Sequence, residues 1–175
     1  LIFDYKITKS DKKFFNNHKS IVVWLFGLSG SGKSTLADLL EQDLYKNKIR
    51  TSILDGDQLR NGLNADLKFS LEDRIENLRR VAELSHILIQ NGLVTICSFI
   101  TPLEKHRELV KSIVGHENIF WIYVNTPIEE CIRRDPKGLY KKAINGEIKE
   151  FTGISQIFEK PQNIDFEVDY KVNIS

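Results

Sequence analysis

The sequence predicts an α/β protein, a parallel β-sheet flanked by helices on both faces, from three observations. Apolar runs at residues 21–26, 93–98 and 119–124 are short and nearly continuous, as strands are when both faces of a sheet are covered. Segments with helical periodicity stand between them, so strands and helices alternate along the chain. A glycine-rich stretch at residues 27–32 joins the first apolar run to the first helical segment, at the end of a strand where such sheets gather their ligands.

The 175 residues, 41% of them apolar, suit one compact domain. We assign it to residues 21–175, after a mixed, charged approach segment at residues 1–20 with no structure assigned. The chain begins at Leu1, not Met, so trimming at its N-terminus is expected. Lys plus Arg (25) nearly balance Asp plus Glu (24), which argues against a nucleic-acid binder and leaves any basic site to local clustering. No apolar stretch approaches the about 20 residues that cross a bilayer, and the N-terminus lacks a signal-peptide layout, so no membrane partner and a cytoplasmic location are expected. Cys97 and Cys131 stand apart from each other and from any histidine at metal-ligand spacing, which predicts reduced, buried thiols.

The elements follow in order. Residues 21–26 are the first strand. The helix after the glycine-rich turn runs over residues 33–46, with Leu36, Leu39, Leu40 and Leu44 on one stripe. Residues 51–54 form a second strand, which ends in the acidic turn Asp55-Gly56-Asp57. A long helix over 71–90 has Ser70 and Asp73 as a capping box, Leu71, Ile75, Leu78 and Ala82 on its buried face, and Gly92 as its stop. Strand 93–98 precedes a charged helix that Pro102 initiates, and strand 119–124 precedes a helix begun by Thr126-Pro127 with Glu129 in the capping-box position. Residues 135–160 lose periodicity and are too long for an ordinary connection, which predicts a mobile lid. Residues 166–172 alternate weakly and give a last strand.

Gly27 to Ser34 fits G-x-x-x-x-G-K-[ST], between a strand and a helix, the context that confirms a P-loop. Backbone amides must wrap a phosphate chain closely, which needs glycine where a side chain would intrude, and the following helix turns its positive end to the same anion. Gly27, Ser29, Gly30, Ser31, Gly32, Lys33, Ser34 and Thr35 are therefore the expected ATP-binding residues, with Lys33 at the β- and γ-phosphates and the Ser34 hydroxyl on Mg²⁺.

A carboxylate of the acidic turn could accept a proton from an attacking hydroxyl or hold the magnesium ion, and Asp57 is our choice for the first role. The competing reading makes both aspartates caps of a short helix. Arg60, Arg74, Arg79 and Arg80 form a cationic series nearby. They suit phosphate or sulfate, or they form a solvated face partnered by Glu72, Asp73 and Glu76. His86 reads as a packed or surface residue, and His18, His106 and His116 have no catalytic arrangement around them.

Residues 54–67 (LDGDQLRNGLNADL), Phe69-Ser70, 73–80 (DRIENLRR), 98–102 (SFITP), 134–143 (RDPKGLYKKA) and 146–153 (GEIKEFTG) closely resemble adenylylsulfate kinase, over roughly residues 20–161. The resemblance implies a P-loop NTPase-type fold and transfer of phosphate from MgATP to the ribose 3′-hydroxyl of adenylyl sulfate (APS), giving PAPS and ADP. It places Asp57 near the acceptor hydroxyl, and Arg60, Phe69, Arg74, Asn77, Ile100, Thr101, Lys137, Leu139 and Phe151 around APS, with Phe69 and Phe151 at its adenine. Arg134, Glu150 and Phe151 fall on the ATP side. Thr101 occupies the position of a serine that becomes phosphorylated in many members, although direct in-line transfer needs no such step. Relatives are commonly dimers, so a homodimer is expected, and the resemblance leaves open a sulfurylase domain or partner in the full-length protein.

The chain departs from the family pattern at Gln58 (usually Asn), Lys68 (usually Gly) and Ala143-Ile144-Asn145-Gly146 (usually Ala-Arg-Ala-Gly). A kinase for another small hydroxyl substrate and a non-catalytic nucleotide-binding regulatory domain are the alternatives. A GTPase switch is disfavoured because no N-K-x-D sequence is present.

Overall fold

The computed structural model describes residues 6–171. Its centre is a five-stranded parallel sheet in the order β2-β3-β1-β4-β5, formed by β1 (Val22–Phe26), β2 (Thr51–Asp55), β3 (Val94–Phe99), β4 (Ile119–Asn125) and β5 (Phe166–Asp169). The last strand is shorter than expected, and Val172 lies outside the described residues.

Every residue of β1 is buried, because helices cover both of its faces. Val22, Trp24 and Phe26 join one cluster with Leu78, Val81, Ala82 and Ile89 of α4 (Leu71–Gln90) and Val110 and Val114 of α5 (Glu104–Val114). Leu25, Ile96 and Val124 pack on the opposite face against Ala37, Leu36, Leu40 and Leu44 of α2 (Lys33–Lys46). Leu39, expected on the same stripe, is outside that cluster. Leu71 is 39% exposed, so the buried face of α4 begins later than the periodicity suggests. Both cysteines are free and buried, and burial pushes the Cys97 thiol up to about 12.

The approach segment contains a helix, α1 (Lys9–Asn16), begun by a capping box in which the Thr8 hydroxyl accepts from the Asp11 amide and the Asp11 carboxylate accepts from the Thr8 amide. Polar contacts dock it on the end of α4, where Lys12 Nζ donates to Gln90 O (3.1 Å) and Asn16 Nδ2 to Gly92 O (2.9 Å). Among the described residues, no helix is long and apolar enough to cross a membrane.

Three local expectations need correction. The charged helix α5 starts at Glu104 with Leu103 as its N-cap, two residues beyond Pro102. The helix after β4, α6 (Ile128–Arg134), has Pro127 as its N-cap and no side-chain cap, because the Thr126 hydroxyl donates to Ser31 O (2.8 Å) instead. At α4 the Ser70 hydroxyl accepts from the Asp73 amide (3.1 Å), but the Asp73 carboxylate turns to the Lys68 amide, so half of the box forms. The aperiodic stretch 135–160 contains a short helix, α7 (Leu139–Ile144), whose Tyr140 and Lys141 amides are capped by the Asp135 carboxylate (both 3.0 Å).

Candidate active site

Parallel pairing aligns the carboxyl ends of the strands, so Leu25, Ser98 and Asp55 stand in one row across β1, β3 and β2. The glycine-rich turn leaves that row from β1. Gly27 has φ +152°, and a Cβ built on it would meet Val124 O at 2.6 Å; only glycine lets the turn pass so close to β4. Gly32, at φ +104°, is the left-handed N-cap that turns the chain into α2. Side chains from distant segments brace the turn: the Tyr140 hydroxyl donates to Ser29 O (2.9 Å) and the Thr126 hydroxyl to Ser31 O. Lys33 is buried, and its ammonium donates to Gly27 O (3.1 Å) and Leu28 O (2.6 Å). Loss of hydration brings its pKa down to about 8, only partly opposed by Cys131, Asp55 and Asp57. Thr35 is exposed in the first turn of α2.

The acidic turn divides its labour. Asp55 caps the short helix α3 (Gly56–Arg60), where one carboxylate oxygen accepts from the Asp57 amide (2.9 Å) and the other from the Ser34 hydroxyl (2.7 Å). The capping reading is thus correct for Asp55, and the same residue forms an oxygen pair with Ser34. The sequence assigns only Ser34 to Mg²⁺ and leaves a carboxylate of the acidic turn as an open second ligand. The signal for Asp55 was its place at a strand's carboxyl end, but only the sheet order brings it to Ser34. Asp57 is exposed and pairs with Lys137 of the 135–160 segment.

The arginine series splits in two. Arg79 and Arg80 pair with Glu76 and Asp66 on the surface, as the solvated-face reading holds. Arg60 and Arg74 turn the other way. The Arg60 guanidinium lies 4.4 Å from the centroid of the Phe69 ring, in cation–π geometry. Arg74 donates to Phe69 O (2.9 Å), Thr152 Oγ1 (3.1 Å), Gln156 Oε1 (3.0 Å) and Glu150 O, and so fastens the start of α4 to residues 150–156. Asn77 is buried and accepts from Asn64 Nδ2 (3.0 Å), a pairing that α4 periodicity could not reveal.

The remaining expected residues are less convergent. Phe69 is 62% exposed, whereas Phe151 is buried and packs edge-on against Tyr140 with centroids 4.9 Å apart, in a cluster that Leu139 joins. The two rings expected around one base are thus in different surroundings. Arg134 Nε donates to Glu130 Oε1 (2.6 Å) on its own helix. Ile100 O accepts from the Gly27 amide (3.4 Å), which ties the end of β3 to the phosphate-binding turn.

Thr101 is 1% exposed, and its hydroxyl accepts from Trp24 Nε1 (2.9 Å). Incubation with MgATP is accordingly expected to leave Thr101 unmodified. Peptide mass spectrometry checks this, and phosphothreonine at that position would overturn the reading.

A phosphate-wrapping turn, an oxygen pair beside it and an acidic residue under a lysine fit phosphoryl transfer to a small acceptor. Comparison with known proteins narrows the class. The family model for adenylylsulphate kinase matches residues 19–169. The chain belongs to the adenylylsulfate kinase family. A probable adenylyl-sulfate kinase of Halalkalibacterium halodurans is 48% identical over 163 residues, which cover 93% of this chain and 78% of the relative. The bifunctional enzyme NodQ of Rhizobium tropici is 48% identical over 157 residues, covering 90% of this chain but 25% of that protein. The structure of the Mycobacterium tuberculosis APS kinase in complex with AMPPNP and APS matches with a TM-score of 0.83 at 44% identity, over 86% of this chain and 88% of that chain. The likeness to that structure spans most of the chain and bears out the parallel sheet flanked by helices.

Proposed function

We propose that this chain transfers the γ-phosphoryl group of ATP to the ribose 3′-hydroxyl of APS, giving PAPS and ADP. The observation that carries the reading is the meeting of three pieces at one sheet edge: the glycine-rich turn with Lys33, the Ser34–Asp55 oxygen pair, and Asp57 under Lys137.

The amides of Gly27 to Thr35 wrap the phosphate chain, and Lys33 leaves the carbonyls of its own turn to meet the β- and γ-phosphates. The Ser34 hydroxyl and Asp55 carboxylate are hard oxygen donors 2.7 Å apart, which suits Mg²⁺. A magnesium ion held by Ser34 and Asp55 would supply charge neutralisation to the phosphate chain. Asp57 accepts the 3′-hydroxyl proton as that oxygen bonds to the γ-phosphorus, and the bond from phosphorus to the bridging oxygen breaks with its electron pair leaving on ADP.

Arg60, Phe69, Arg74 and Asn77 bind APS from the α4 side, with Ile100, Thr101, Lys137, Leu139 and Phe151 completing its surroundings. Arg134 and Glu150 belong to the ATP side, and Phe151 serves both. Residues 135–160 act as a lid that excludes water from the transferring group. Support comes from the Lys137–Asp57 and Tyr140–Ser29 contacts, which join this segment to both halves of the site. We further propose a cytoplasmic homodimer. We also propose a sulfurylase domain or partner for the full-length protein; that one relative is bifunctional supports a second attached activity, without naming its kind.

The test is ADP release with MgATP, with and without APS, against a panel of other small hydroxyl compounds. Turnover that requires APS is expected. ATP binding without APS-dependent turnover would overturn the proposal.

A further inference from the structure

Arg107 of α5 is 2% exposed and takes no part in the steps above. Its guanidinium uses its donors in three directions. NH1 donates to Thr101 O (3.1 Å), NH2 to Glu159 O (3.2 Å), and Nε to Glu104 Oε2 (2.9 Å). Its central carbon lies 5.3 Å from the centroid of Phe26, the residue immediately before the glycine-rich turn. Glu159 is in turn tied to the same loop, since its amide donates to Pro102 O (2.8 Å).

Thr101 has φ +43°, in the left-handed region, which costs a non-glycine residue about 1 kcal/mol or more. Such a conformation persists only when its surroundings over-determine it. Three contacts do so: the Trp24 indole on the Thr101 hydroxyl, Arg107 on the Thr101 carbonyl, and the Gly27 amide on the neighbouring Ile100 carbonyl. Arg107 alone of these three also holds Glu159, through its carbonyl. Glu159 lies three residues beyond the 150–156 segment that Arg74 grasps.

We propose that Arg107 is a positioning residue for the acceptor: it locks the Ile100–Thr101 turn and the base of the 150–159 segment into one body, so that the two walls of the APS site keep a fixed separation. The inference rests on the APS reading above. The planar fork explains the residue type, since an ammonium is a point donor and cannot hold both carbonyls and Glu104 in these directions. Glu104 and the carbonyls offset the cost of burying the charge.

Arg107→Lys keeps the charge and loses the fork. With wild type in parallel, it is expected to raise KM for APS about tenfold or more, as small misplacements of a binding wall do. KM for ATP should stay within about twofold of wild type, because the phosphate-binding turn keeps its own braces. Glu104→Gln retains both carbonyl bonds and is expected to lower Tm with KM for APS near wild type. If Arg107→Lys does not fold, Arg107→Gln carries the same measurement. Lower Tm with an unchanged KM for APS overturns the proposal, as does failure of both Arg107 variants to fold, since either makes Arg107 a stability element only. Absence of APS-dependent turnover in wild type overturns the functional reading and this inference with it; normal wild-type turnover with an unshifted KM ratio overturns this inference alone.

Discussion

Asp57→Ala is expected to lower kcat by about 10²–10⁴, the usual contribution of a positioned general base, with little change in KM for ATP. The local geometry makes this a clean substitution. The backbone of the acidic turn is held by Asp55, which accepts from the Asp57 amide, so removing the Asp57 carboxylate leaves the cap intact. The only described partner of that carboxylate is Lys137, and both side chains are more than half exposed. Losing such a pair costs about 0–1 kcal/mol of stability, so Tm should barely move. Steady-state kinetics with varied APS and varied ATP, alongside thermal unfolding, separate the possibilities. A kcat near wild type would reduce Asp57 to an anchor for the lid, and a loss of activity that tracks a loss of Tm would make the effect structural.

The parts of the fold that were legible in the sequence are those set by local pattern and complete burial. Strand β1 could be read because both of its faces are covered, and the P-loop because its glycines answer to backbone geometry, which is local. The capping box at Thr8 and Asp11 was equally local and would have revealed α1. What could not be read depends on residues far apart in the chain. Arg60, Arg74, Arg79 and Arg80 are chemically alike, and only the position of residues 150–156 separates Arg74 from the surface pair. Thr126 looked like a helix cap until the phosphate-binding turn, 95 residues earlier, claimed its hydroxyl. Arg107 read as one more charge in a charged helix because one of its acceptors, the Glu159 carbonyl, lies 52 residues on. Asp55 was visible as half of an acidic pair, but its bond to Ser34 follows from the sheet order.

Lys33→Met should lower kcat by about 10²–10³, the cost of removing one preorganised donor from the charge that develops in the transition state. It should also abolish a pH dependence that this lysine creates. Burial lowers the Lys33 pKa from 10.5 to about 8, so in the free protein its charge is lost as pH rises through about 8. A polyphosphate placed beside the ammonium favours the charged form and raises that pKa again. ATP binding is therefore expected to take up protons above pH about 8, and affinity for ATP to weaken as pH climbs beyond it. The folding equilibrium moves the other way. Between about 8 and 10.5 the unfolded chain binds more protons at this site than the folded one, so the lysine's contribution to stability improves as pH rises. Titration calorimetry of a non-hydrolysable ATP analogue at pH about 8.5, in two buffers of different ionisation enthalpy, measures the uptake directly. Uptake that vanishes in Lys33→Met assigns the proton to this ammonium; uptake that persists assigns it to another group and removes the argument that desolvation of Lys33 tunes nucleotide binding.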